Sequence, residues 1–107
     1  MNGRVTYTKA VLRELAAASP ADARLRVLVP ILEALGKLEG RGQAPASSRL
    51  LAALIGPLPV RACAVLELGQ GLGLVTAQPP GACGASLVLW SLTEAGRAVA
   101  REGAPHA

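Results

Sequence analysis

The sequence predicts a mainly α chain with a small β-hairpin, an α+β domain, and three observations carry that expectation. Between Thr8 and Gln70 apolar residues recur at helical spacing, in runs preceded by Ser, Thr or Pro residues that suit helix starts. Two apolar segments, Leu74 to Gln78 and Ala85 to Leu92, flank Pro79-Pro80-Gly81-Ala82-Cys83-Gly84, a turn-rich connection that suits a hairpin. A chain of 107 residues with 51% hydrophobic content can bury one core but not two. Tyr7 and Trp90 are its only aromatics, so that core is packed from Leu, Val, Ile and Ala, a composition that favours helices.

The elements follow in order. Thr8 can cap a first helix running to about Ala18, with Val11, Leu12 and Leu15 as its apolar stripe. Ser19-Pro20-Ala21-Asp22 reads as the start of a second helix, with Ser19 as cap, Pro20 at the first helical position and Asp22 completing a capping box. This helix continues through Leu25, Leu28, Val29, Leu32 and Leu35 to about Leu38, and Pro30 inside it predicts a kink or local break. Gly40 to Pro45 forms a loop, Ser47 caps a third helix over about Ser48 to Ile55, and Gly56 ends it. Pro59 suits the first position of a fourth helix, expected to run to Gln70 and to fray early at Gly69. After the hairpin, Thr93 caps a short last helix to about Glu102, and the tail, residues 103–107, is expected to be disordered.

Four landmarks in this order carry a resemblance: Leu54-Ile55-Gly56 before a tight turn, an expected helix after it, Gly73-Leu74-Val75, and Leu92-Thr93-Glu94-Ala95-Gly96-Arg97. Together, at the spacing they keep, they resemble the winged helix-turn-helix regulators of the MarR, ArsR and PadR type. The resemblance covers residues 21–102 and implies one winged-helix domain over 1–107, with residues 1–20 as an added N-terminal helix for dimerisation. It implies a fourth helix that enters the DNA major groove, and a homodimer that presents two such helices to successive grooves. Gly69 stands where the pattern usually holds Leu. The string Gly69-x-Gly71-x-Gly73 is not a dinucleotide loop, because it closes a helix and enters a strand instead of the reverse.

The formal charge is +4, unevenly spread. Residues 1–59 hold most of the cations, whereas Arg61, Arg97 and Arg101 are balanced by Glu67, Glu94 and Glu102 in the remainder. A basic chain fits a phosphate-binding surface, and solvated helix faces account for the same charges. On the outward positions of the fourth helix, Val60, Arg61, Cys63, Ala64, Glu67 and Leu68, Arg61 is the one plausible DNA ligand, to a guanine or a phosphate. Arg49, Arg41 and Lys37 are the further candidates for double-stranded DNA, since the resemblance implies that their segments lie near the backbone. The hairpin tip carries no charge, and Leu87 and Leu89 are apolar on the face opposite Val88, Trp90 and Leu92.

Cys63 and Cys83 lack the Cys-x-x-Cys spacing and the histidines of a zinc site. They read as free thiols held far apart, on the fourth helix and the hairpin tip, in a cytoplasmic chain. His106 is the sole histidine, so no serine has a base to activate it, and an enzyme is not expected; nor is a cofactor, a metal or a membrane segment. Two function classes follow. One is a homodimeric DNA-binding transcription regulator, whose dimer contact uses Val11, Leu12, Leu15, Leu92, Ala95 and Val99. The other is a winged-helix module that has lost its DNA-reading face and binds protein through Leu68 and Leu89.

Overall fold

The Thr8 side chain accepts a hydrogen bond from the Val11 amide at 3.1 Å and opens helix α1, Lys9–Ala18. The structure, a computed structural model, describes residues 6–78 and 88–102. α1 ends at Ser19, whose own amide donates to the Leu15 and Ala16 carbonyls. Ser19 is thus engaged as a C-terminal cap and does not start the next helix. Asp22 does so instead, accepting from the Arg24 amide at 3.1 Å, and α2 spans Ala23–Gly40.

α2 is continuous through Pro30 and does not break there. Proline removes one backbone donor, which leaves the Arg26 carbonyl without its helical partner. Pro30 and Arg26 are both exposed, so water can serve that carbonyl. The buried face of α2, with Leu28, Ile31, Leu32 and Leu35 fully covered, packs against the four other helices and the second strand. It is the central element of the described fold.

Ser47 accepts from the Leu50 amide at 3.1 Å and begins α3, Ser48–Ile55. Gly56 follows with φ +99°, a backbone that side-chain-bearing residues rarely adopt, as expected for the glycine that ends this helix. The next helix starts later than Pro59: α4 spans Ala62–Gly71, with Arg61 in extended conformation before it. α4 does not fray at Gly69. A Cβ there would stand 3.3 Å from Leu28 Cδ1 and from Val75 Cγ2, so the missing side chain lets α4 lie close to α2 and the first strand. α4 closes with the Gly73 amide donating to Gln70 at 3.0 Å and the Leu74 amide to Gly69 at 2.9 Å, while Gly73 takes φ +77°. These paired bonds satisfy the last carbonyls of the helix and turn the chain into the hairpin.

Strands β1, Val75–Gln78, and β2, Leu89–Leu92, pair antiparallel with Val75 opposite Leu92 and Ala77 opposite Trp90. Val88, Trp90 and Leu92 face the core, as their alternation predicts. A third backbone segment joins them: Ala46 and Trp90 exchange hydrogen bonds of 3.0 and 2.7 Å, forming an isolated bridge just before α3. Thr93 caps α5, Glu94–Arg101, which packs on α2 and β2. The expected tip over residues 79–84, the start of the second strand at Ala85, the apolar Leu87 and the tail at 103–107 lie outside the described residues. Among the described residues no helix is long and apolar enough to cross a membrane.

Candidate nucleic-acid interface

Helices α3 and α4 pack against each other across the Gly56 turn, so their two starts carry the first candidate cations. Arg49 sits in the first turn of α3 and is exposed. Arg61 is exposed as the residue preceding α4. The first amides of a helix have no partner within it and form the positive end of its dipole. At α4 the residue that precedes this end is Arg61. Neither Arg49 nor Arg61 forms an ion pair among the described residues.

The cations elsewhere divide into engaged and unengaged groups. Lys9 pairs with Glu33 at 2.8 Å, Arg24 with Asp22 at 2.7 Å and Arg97 with Glu39 at 2.7 Å. The Arg24 guanidinium bonds the Asp22 carboxylate and holds its pKa below the ordinary value, and Glu39 raises that of Arg97 by the same kind of bond. Arg41, exposed at the end of α2, has no such partner among the described residues and stays with Arg49 and Arg61 as a candidate. Lys37 separates from them. It lines a cavity shared with Arg97 and Arg101, which none of the other three touches.

The outward face of α4 is largely uncharged beyond Arg61. Glu67 and Gln70 are exposed, Ala64 and Leu68 are half-buried, and Leu68 packs against the core. Part of the Leu68 side chain thus covers the molecule's own interior. Leu89 is exposed at 36% and remains available.

The expected dimer residues divide in the same way. Leu12, Leu92 and Val99 are core residues of the monomer at 0, 3 and 0% exposure, since α1 and α5 both fold back on α2. They cannot form a surface between two copies while the monomer keeps this packing. Leu15 and Ala95 are exposed and Val11 is half-buried, so these three are the part of that set still at the surface.

Cys63 corrects the expectation of free thiols, for it is disulfide-bonded. The only other cysteine of the chain, Cys83, lies outside the described residues. The expectation set the fourth helix and the hairpin tip far apart; among the described residues, α4 packs directly on β1. With it goes the argument that linked reduced thiols to a cytoplasmic chain.

Sequence reasoning missed two features. The Ala46 to Trp90 bridge joins single residues distant in the chain, which leaves no period to detect. The cavity around Lys37 is assembled from α1, α2 and α5, and only their packing reveals it. No family model matches the chain, and neither a curated protein nor a solved structure matches it.

Proposed function

We propose that the chain is a winged helix-turn-helix transcription regulator that binds double-stranded DNA, with Arg49 and Arg61 as its central phosphate contacts and Arg41 beside them. The observation that carries this reading is the pair of exposed arginines, without an ion-pair partner among the described residues, at the starts of two helices joined by the Gly56 turn. The order α2, Ala46 bridge, α3, α4, β1, β2 supports it, because a bridge onto the second strand is what a three-stranded wing requires. The apolar α4 face offers few hydrogen-bonding groups to base edges, so affinity comes chiefly from phosphates. In this reading two copies pair through the surface residues Val11, Leu15 and Ala95, and each presents one α4 to a half-site.

The test is binding of a random-sequence duplex in filter assays at rising salt. Release of counterions makes affinity fall steeply as salt increases. A chain that holds no duplex even at low salt would exclude the reading.

One observation favours a second reading, that of a protein-binding module. Leu50 and Leu54 on α3 are 41 and 52% exposed, and Leu89 on β2 is also uncovered. Exposed leucines on two elements suit a protein partner better than a phosphate backbone. Leu54→Glu separates the two readings: it removes partner binding under the second and leaves the salt-dependent duplex binding of the first in place.

A further inference from the structure

Where the start of α1 meets the second half of α2 and the length of α5, the structure leaves an open cavity of about 590 Å³. That volume falls within the range of small-molecule sites. Its walls combine two kinds of surface. Gly36 and Gly40 of α2, Leu92 and Ala100 offer hydrocarbon or bare backbone, and charged side chains complete the lining.

Each acid in the lining is already engaged. Glu33 holds the Lys9 ammonium at 2.8 Å, and Glu39 holds the Arg97 guanidinium at 2.7 Å. The Glu102 carboxylate accepts the Lys9 backbone amide at 3.0 Å, and its main-chain carbonyl accepts the Lys9 ammonium at 2.6 Å. Lys9 is held on both sides, with its side chain only 13% exposed, so this wall is fixed in advance. Lys37 and Arg101 line the same cavity, are exposed, and have no ion-pair partner among the described residues. Lys37 and Arg101 thus outnumber the one carboxylate without an ion-pair partner among the described residues, Glu102, whose oxygen is held by a neutral amide, and the cavity carries a net positive charge beside an apolar wall.

We propose that this cavity binds a small organic anion, with a carboxylate or phosphate head on Lys37 and Arg101 and a short aliphatic body against Gly36 and Ala100. Two cations lining one cavity favour an oxyanion through charge-assisted hydrogen bonds. The hydrocarbon wall adds affinity for a ligand with an apolar portion, which an inorganic ion cannot use. The site is independent of the DNA reading, since none of Arg41, Arg49 and Arg61 lines it.

Gly40 supplies a blocking variant. A Cβ there meets nothing within 4 Å, so Gly40→Trp adds bulk to a lining position without a clash at the Cβ. The experiment titrates the full-length, nitrogen-15-labelled chain with sodium hexanoate and follows its amide resonances. Hexylammonium and inorganic phosphate serve as comparison probes. Hexanoate is expected to shift the Gly36, Gly40 and Ala100 amides saturably, and hexylammonium to leave them in place. Gly40→Trp abolishes those shifts while retaining a dispersed, folded spectrum, and the double variant Lys37→Gln, Arg101→Gln raises the hexanoate Kd at least tenfold. No saturable shift with hexanoate, equal shifts with hexylammonium, or an unchanged Kd in the double variant would overturn the proposal. Phosphate binding as tightly as hexanoate would overturn the part assigned to the aliphatic body.

Discussion

A Cβ on Gly96 would collide with the carbonyl oxygen of Leu74. The same carbonyl accepts the Thr93 amide at 3.1 Å, and the Thr93 hydroxyl donates to the neighbouring Gly73 carbonyl at 2.6 Å. Thr93 also accepts from the Gly96 amide at 3.1 Å. The first turn of α5 is thus fastened to the entry of β1 by backbone contact, which only a residue without a side chain permits.

Gly96→Ala is expected to destabilise the fold by ~1–3 kcal/mol, because the intruding methyl group meets backbone and cannot be relieved by a side-chain rotation. Gly40→Ala is the control, where the added carbon enters open space. Chemical denaturation of the two variants should give a lowered midpoint for the first and an unchanged or slightly raised midpoint for the second.

Acid titration should single out Asp22. Its carboxyl has a folded-state pKa depressed by the Arg24 hydrogen bonds, so its stabilisation is fully present above the ordinary carboxylate value of 3.8. It is lost as pH falls through the lower folded value. Asp22→Asn keeps a capping oxygen but cannot titrate. The gap in thermal midpoint between wild type and variant is expected to be small at neutral pH, since the pair is exposed, and to close below pH 3.8. A gap that widens in acid would contradict the assignment.

Alkylation should find Cys63 blocked. Iodoacetamide added to the unreduced chain leaves this residue unmodified, and addition after reduction labels it, as peptide mass spectrometry can read. Labelling before reduction would remove the disulfide from the folded state.

The DNA reading predicts that Arg61→Ala weakens duplex binding whatever the sequence and lowers the slope of log affinity against log salt by about 1. Arg49→Ala acts alike. Lys37→Ala, which alters the cavity instead, leaves that slope unchanged.

Much of the fold was legible where the signal is local. Thr8, Ser47 and Thr93 each stand immediately before an apolar helical run, and each accepts the capping bond expected of it. Gly56, and the alternation of Val88, Trp90 and Leu92, are local in the same sense. Legibility failed where two residues of equal chemistry competed. Ser19 and Asp22 both suit a helix start, and the contest is settled by α1, which uses Ser19 to finish itself. Pro59 suits a first helical position, yet the chain continues past it to Ala62 before turning helical. The candidate site was legible only in part. Arg49, Arg61 and Arg41 are exposed as expected, but whether Lys37 joins them or lines a cavity depends on how α5 folds over α2.

The bridge between Ala46 and Trp90 has a practical consequence. Trp90 is the only tryptophan in the chain, 2% exposed, and its backbone is held by Ala46 on one side and Ala77 on the other. A lone indole at the seam between hairpin and helices is a built-in optical reporter. Its emission should shift to the red when the hairpin parts from the segment before α3, so separation at that seam can be followed without attaching a dye.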